Sequence, residues 1–477
     1  MAEAHQKVLN EILNYIRPKQ EDKKRLNDLT KRTLEIASEH MKKFGGDAIL
    51  AGSITRDTWL PDKMEFDIFI IFPTSFSKKQ LENFGLEIGK DIIQTLKGGY
   101  KIEYAEHPYV SGNVEGIRID IVPCFKVKST AKLKSAVDRT PLHVKYIEKN
   151  LRPPFSNEVR LLKKFCKANG MYGADAKTEG FSGYVCELLI INYGKFIDVL
   201  KSAVFWIPRK VIDIENYYSI EDHPKLRKKF KGQVLILIDP TDKKRNAGAA
   251  ISSQNFFKFK KLAKGFLKKA SGEFFFEKKY EPINENELVQ NQLKRRTELI
   301  LVNFNPPQVV PDILWPQLRK FAERLQSILE EVKYEFKVLR KDVYTNEKDL
   351  AVVLLEMEVS KLPMIQKRIG PEVFDMDDSE RFIQKYKGQT ITGPFVENNF
   401  WCVEINRTFL SAREKLIDSL NKSVDILKAK GIPNHIAEQI VKYFDVFSAN
   451  EKIMRLIEKD RKFGIFLRKY FEKESLV

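Results

Sequence analysis

The sequence predicts an α+β protein in three parts: a head on a small mixed sheet, a helical middle, and a C-terminal half where strands and helices alternate. Three observations carry this. Residues 65–72, EFDIFIIF, form a β-branched and aromatic run stopped by Pro73, which reads as a buried strand. Residues 117–122, IRIDIV, alternate strictly up to Pro123 and read as a second strand. From Arg152-Pro153-Pro154 onward, apolar residues recur at helical spacing instead.

Taken in order, residues 5–16 and 20–44 read as helices, the second carrying Leu26, Leu29, Leu34 and Ile36 among many charges. Residues 48–51 lead into a Gly52-Ser53 turn. Ser77 and Gln80 fit a capping box. Leu81, Phe84, Ile88, Ile92 and Leu96 then follow at spacings of three and four, an amphipathic helix able to cover one sheet face, ended by Gly98-Gly99. Strands near 100–106 and 114–125 complete the sheet of a head spanning 1–150.

In the helical middle, 151–258, Ser156 is expected to cap a helix through Lys167 with Val159, Leu162, Phe165 and Cys166 inward. Ser182 is expected to cap a second, GYVCELLIINYG, apolar nearly throughout and therefore buried. A third helix covers 195–204, and 234–238 is strand-like before Asp239-Pro240. Ser252 opens a long basic helix to about residue 270. The last part, 259–477, shows strands at 298–304, 335–339, 350–356 and 401–405, with helices at 313–331, from about 409, and after 434.

Side chains alternate along a strand, so Glu65 and Asp67 share one side. Ile117, Ile119 and Ile121 share a face of the other strand, which leaves Asp120 opposite. Carboxylates crowded beside an apolar strand repel one another and are costly to bury unpaired. A divalent cation relieves both problems, and carboxylates completed by substrate phosphates suit Mg2+. If the two strands pair, Glu65, Asp67 and Asp120 converge, enough to hold two ions about 4 Å apart. At the Gly52-Ser53 turn, backbone N–H groups and the Ser53 hydroxyl can meet triphosphate oxygens. Arg56 can add a charged donor to phosphate, its alternative being a solvated surface arginine.

These blocks carry a resemblance. A Gly-Ser turn, an acid-x-Asp strand and a later Asp strand resemble the polymerase-β-type nucleotidyltransferases. The fuller series GSITRDTWL, EFDIFIIF, IDIVPCF, RTPLHVKYI, EVRLLKKF, MYGAD and GFSGY is similar, in that order, to the archaeal (class I) CCA-adding enzymes, tRNA nucleotidyltransferases, over about half the chain. Glu65 stands where most of the superfamily has Asp, and the archaeal branch resembles this chain there.

The resemblance implies a catalytic head, a nucleotide-binding neck, and a body and tail that bind tRNA. It implies that Glu65 and Asp67 hold both metal ions and that Asp120 joins them at the ion activating the RNA 3′-hydroxyl. It places His143 and Lys163 at the triphosphate and Tyr172 at the ribose or phosphate. Arg245 would present its guanidinium to the incoming base. In isolation these four read as a helix histidine, a solvent-facing lysine, a packed tyrosine and a basic loop residue. Lys163 and Lys164 face directions about 100° apart on one helix, so one of them reaches the nucleotide, and block alignment favours Lys163. The implied activity adds C, C and A to the tRNA 3′ end from CTP and ATP, without a nucleic-acid template and with release of pyrophosphate. The implied grip is on the acceptor and T arms, and a homodimer is the assembly suggested.

Composition agrees with such a partner. Lys and Arg number 83 against 65 Asp and Glu, a net +18, which favours a polyanion because neutralising phosphates releases counterions. The densest basic runs, 225–231 and 258–269, interleave phenylalanines and are expected to track phosphates. The four cysteines lack C-x-x-C pairing and the histidines lack ligand spacing, which points to reduced thiols and no zinc site. No 18-residue apolar stretch occurs and the N-terminus is charged, so neither a membrane span nor a secretory signal is expected, and the location expected is cytoplasmic. Three rivals stay open on the residues alone: a poly(A) or oligoadenylate synthase, a non-catalytic RNA-binding protein, and a small-molecule nucleotidyltransferase.

Overall fold

The structure, a computed structural model, describes residues 2–104, 106–127, 129–130, 133–473 and 475–476. The chain divides into two units, 1–279 with 475–477, and 280–474.

The first unit begins with α1 (Ala2–Ile16), α2 (Gln20–Lys42), β1 (Asp47–Ala51) and β2 (Glu65–Phe72). Then come α3 (Lys78–Thr95), β3 (Gly99–Tyr104), β4 (Pro108–Val114), β5 (Ile117–Phe125) and α4 (Thr140–Asn150). The strands form one sheet in the order β1-β2-β5-β4-β3, and only β2 with β5 is parallel. Phe66, Ile68, Ile70 and Phe72 of β2 pack with Leu26, Leu29 and Met41 of α2 and with Leu81, Ile88 and Ile92 of α3. On the strand's other face Phe69 and Ile71 are buried with Cys124 and Val144. That face is therefore apolar at one end and acidic, at Glu65 and Asp67, at the other. The expected capping box on α3 is present, Gln80 N–H donating to Ser77 Oγ at 3.3 Å and Ser77 N–H to Gln80 Oε1 at 2.9 Å.

The neck contains α5 (Ser156–Ala168), α6 (Gly183–Tyr193), α7 (Phe196–Val204), β6 (Lys210–Ile212), α8 (His223–Lys229), β7 (Leu235–Asp239), β8 (Asp242–Asn246) and α9 (Ser253–Lys268). Its core gathers Phe165, Phe181, Leu188, Phe196, Phe259 and Phe266. Leu9, Ile12, Leu13 and Ile16 of α1 join the same core, so the first helix packs with the neck and not with the head sheet.

Several expectations shift. Ser182 and Ser252 cap their helices, accepting from Val185 N–H at 3.1 Å and Asn255 N–H at 3.3 Å. Ser156 is instead the first residue of α5, and its hydroxyl donates to Pro153 O at 3.1 Å. The expected 114–125 strand is a hairpin: Glu115 and Gly116, at φ 54° and 77°, turn the chain between β4 and β5. β4, PYVSGNV, has no clean alternation to announce it; Gly112 is small because Ile93 packs directly over it, within 2.5 Å of where a Cβ would be. Position 105 of the expected 100–106 strand lies outside the described residues. The expected division at 258 falls inside α9, whose Phe259 and Phe266 belong to the neck core, and the chain parts after 279.

The second unit contains α10 (Glu285–Arg295), β9 (Glu298–Phe304), α11 (Pro311–Leu329), β10 (Lys337–Thr345), β11 (Ala351–Val359), β12 (Ile365–Glu372), α12 (Met376–Tyr386), β13 (Thr392–Glu397) and β14 (Phe400–Asn406). It ends with α13 (Ala412–Leu420), α14 (Val424–Ala429), α15 (Asn434–Ile440), β15 (Asp445–Phe447), α16 (Asn450–Lys459) and α17 (Arg461–Phe471). Two antiparallel sheets result, β10-β11-β9-β15 and β12-β14-β13. β12 and β13, IQKRIGPE and TGPFVE, are mostly exposed and mix polar with apolar residues, which is why no strand is legible there.

Candidate active site

Pairing of β2 with β5 sets Asp67 directly beside Asp120 and Glu65 beside Arg118. Parallel register partners point the same way, so Glu65, Asp67 and Asp120 share one face of adjacent strands. Cations already sit on two of them. Lys63 Nζ is 2.5 Å from Glu65 Oε1, and Arg118 forks onto Asp120 with Nε–Oδ1 and Nη2–Oδ2 both 3.0 Å. Asp67, between them, has no ion pair among the described residues. Burial, then the charges of Asp120 and Glu65, push its carboxyl up to about 7.

Gly52 faces this carboxylate across the β1–β2 hairpin. Its φ is +85°, and a Cβ there would lie 2.9 Å from Asp67 Oδ2, so both backbone and space require glycine. Ser53 opens the 3-10 turn Ser53–Arg56 that follows. Among the described residues no three His, Cys, Asp or Glu side chains are closed into a metal-binding group. The observed chemistry nevertheless fits a divalent cation: three oxygen-donor side chains on one face, surplus negative charge, and stand-in cations Lys63 and Arg118 on the outer two.

Behind the turn lies a buried charge cluster on Glu187, which α6 carries in its otherwise apolar sequence. Thr58 Oγ1 donates to Glu187 Oε1 at 2.7 Å, and Arg56 Nη2 lies 3.1 Å from Oε2. Lys163 of α5 donates to Thr58 Oγ1 at 3.0 Å and reaches Glu187 Oε1 at 3.4 Å. Burial raises the Glu187 carboxyl, but the charges of Lys163 and Arg56 and the Thr58 hydroxyl outweigh it and hold it below the usual range. Arg56 and Lys163, both expected at phosphate, meet on Glu187 in this structure. Lys163 is buried and Arg56 nearly so, and both are bonded to a carboxylate that cannot be desolvated alone. Tyr172 stands beside them, and Gly183 is small because a Cβ would lie 3.1 Å from the Tyr172 hydroxyl oxygen. Lys164 turns away, its ammonium 5.8 Å from the Tyr15 ring centroid, so Lys163 is the one of the pair that faces the turn.

A second cluster surrounds Asp239, fully buried at the end of β7. His143 Nε2 is 2.9 Å and Arg245 Nη1 2.6 Å from Asp239 Oδ2. Tyr184 O–H donates to Oδ1 at 3.0 Å and stacks on the His143 ring at 4.1 Å. Burial raises the Asp239 carboxyl, and the His143 bond and charge, the Thr241 amide and Arg245 more than reverse this. His143 and Arg245, expected at opposite ends of a nucleotide, thus share one anion.

The residues so far arrange as three groups: the acidic face with Gly52 and Ser53, the Glu187 cluster, and the Asp239 cluster. Glu187, Thr58, Asp239 and Tyr184 were not anticipated. A signal existed for Glu187, a lone acid in an apolar helix that must find cations. Part of the basic runs is engaged with the chain itself: Lys229 Nζ donates to Lys244 O at 2.8 Å, Lys258 Nζ to Asn169 O at 2.5 Å and Lys260 to Trp206 O.

Comparison with known proteins matches three family models in order: a nucleotidyltransferase domain over residues 30–143, the second domain of tRNA nucleotidyltransferase over 157–276, and the C-terminal domain of CCA-adding enzyme over 295–449. The CCA-adding enzyme of Methanocaldococcus jannaschii is 40% identical over 390 residues, 80% of this chain and 84% of that protein. That of Archaeoglobus fulgidus is 34% identical over 94% of this chain and 96% of its own. That of Methanopyrus kandleri is 34% identical over 99% and 98%. Near-complete coverage at such identity, with a nucleotidyltransferase head carrying three acids on paired strands, establishes that this chain belongs to the archaeal CCA-adding enzyme family of tRNA nucleotidyltransferases.

Proposed function

We propose that this chain adds C, C and A to the 3′ end of tRNA from CTP and ATP, releasing pyrophosphate, with the residues of the first unit in the following roles. The observation that carries the assignment of roles is the side-by-side register of Asp67 and Asp120 beneath the Gly52-Ser53 turn. Glu65, Asp67 and Asp120 would hold divalent cations, Mg2+ by their oxygen-only donor set. When bound, the ions would lower the 3′-hydroxyl's pKa and neutralise the leaving pyrophosphate.

Protein groups supply the rest. Ser53 and the turn's amides receive triphosphate oxygens. Arg56 and Lys163 against Glu187 leave one net positive charge buried behind that turn, a fixed field for an incoming polyanion. Tyr172, next to Lys163, orients the ribose or a phosphate. His143 and Arg245 are aimed by Asp239, His143 toward the triphosphate and Arg245 toward the base edge. Arg245 remains about a third exposed, which leaves donors for that edge.

The second unit, which includes the matched CCA-adding C-terminal domain, is read as the grip on the acceptor and T arms. No helix among the described residues is long and apolar enough to cross a membrane. The reading includes a cytoplasmic location and a homodimeric assembly, the latter tested by light scattering. The direct test supplies tRNA ending at its discriminator base with labelled CTP and ATP and sequences the product. Three additions ending in A support the reading, and an open-ended homopolymer or no incorporation overturns it.

A further inference from the structure

We propose that Glu187 is a positioning residue for the triphosphate, acting through Arg56 and Lys163. The proposal rests on those two cations serving the phosphate side of the site. Glu187 is 1% exposed, on a helix whose other residues in the same stretch are apolar. Its carboxylate joins three elements. It accepts from Arg56 and Thr58 on the turn after Gly52-Ser53, and from Lys163 on α5, while belonging to α6.

Geometry says why a carboxylate is needed there. Lys163 is 2% exposed, and its three donors meet Thr58 O at 3.2 Å, Thr58 Oγ1 at 3.0 Å and Glu187 Oε1 at 3.4 Å. Burial lowers the Lys163 pKa, and the charge of Glu187 works against that lowering, so the carboxylate favours the ammonium form at this buried position. Arg56 is the other cation of the cluster. Without an anion both would repel, and the 3-10 turn that carries Arg56 would be pushed from α5. The turn is fixed from its other side as well. Asp57, in the left-handed region at φ 51°, pairs with Lys23 at 2.7 Å and with Arg160, whose Nε donates to Trp59 O at 3.1 Å. Buried Glu187 and partly exposed Asp57 therefore hold one short turn to α5 and α6. The turn is also where Gly52 meets Asp67, so an error in its placement reaches the nucleotide.

A purely structural role would show as lost fold or lost active fraction. A positioning role has a different signature. In the full-length protein, Glu187→Gln is expected to raise KM for CTP and for ATP by the same factor, about 10- to 100-fold, the size expected for losing one buried charge-assisted contact. KM for tRNA and kcat should stay within about threefold, and the C-to-A product ratio should not change. In a Lys163→Met background the same substitution should raise those KM values by a smaller factor than in wild type, because only the route through Arg56 remains. A fall in kcat at constant nucleotide KM, an effect on one nucleotide alone, or additivity with Lys163→Met overturns the proposal. Should Glu187→Gln fail to fold, Thr58→Val, which removes one donor from the same carboxylate, must raise both nucleotide KM values severalfold. Unchanged KM values in that variant overturn it equally. Wild-type incorporation of CTP and ATP, run alongside, tests the underlying functional reading separately.

Discussion

Asp67 and Asp120 are register partners on adjacent parallel strands, and Gly52 closes over the first of them with no room for a Cβ. Asp120 is paired with Arg118, whereas Asp67 has no ion pair among the described residues, so the charge of its neighbours falls on it.

Asp67→Asn is expected to abolish nucleotide incorporation while leaving the fold intact or more stable. The sign follows from linkage. A carboxyl raised from 3.8 to about 7 favours folding through its protonated form below pH 4, and that contribution is lost as pH rises through 7. At about 1.4 kcal/mol per pKa unit the effect is a few kcal/mol at most. Thermal melts of wild type and variant should therefore diverge between pH 4 and 8, with the variant higher at pH 8. Adding Mg2+ at pH 8 should raise the wild-type Tm more than the variant's. A variant that melts lower at pH 8 would contradict the crowding of charge on Asp67.

Gly52→Ala should be damaging out of proportion to its size. Positive φ and a 2.9 Å approach to Asp67 Oδ2 combine, so a loss of about 1–2 kcal/mol in stability is expected from denaturant titration. Incorporation should fall at least tenfold at saturating CTP, because the carboxylate itself is displaced.

Asp239→Asn is expected to disturb base choice more than triphosphate binding. It releases Arg245 and His143 together while keeping the hydrogen bond from Tyr184. The measured quantity is the ratio of CMP to AMP incorporated at each position. A changed ratio with nucleotide KM shifted less than about fivefold is expected. Asp239 is held well below the normal carboxylate range, so its contribution to stability is present at neutral pH and lost only in strong acid.

Glu356→Ala should unfold part of the second unit without touching the head chemistry. This fully buried acid accepts from Arg295 Nε at 2.5 Å, Arg340 Nε at 3.2 Å, Thr297 Oγ1 at 2.7 Å and Tyr470 O–H at 2.9 Å. Burial raises its carboxyl, yet Arg295, Thr297 and Tyr470 bring it to about 2. Removing it leaves two arginines without their anion, a cost of about 3–5 kcal/mol. A lowered calorimetric transition and a raised KM for tRNA are expected, with nucleotide affinity unchanged.

The sequence by itself determined the two acidic strands, the face each acid takes, the amphipathic α3 with its capping box, and, through ordered motif blocks, the family. Those are local properties: alternation, spacing and a cap are set within about ten residues of chain. Tertiary structure alone decided that β2 and β5 run parallel with Asp67 opposite Asp120, and that β4 lies between β5 and β3. It also decided that α1 belongs to the neck. It joined Arg56 and Lys163 on Glu187, and drew His143 and Arg245 to one buried aspartate. The physical reason is distance along the chain. Arg56 and Glu187 are 131 residues apart and His143 and Asp239 are 96 apart, so which charge neutralises which is set only when the core closes and leaves no water to do it.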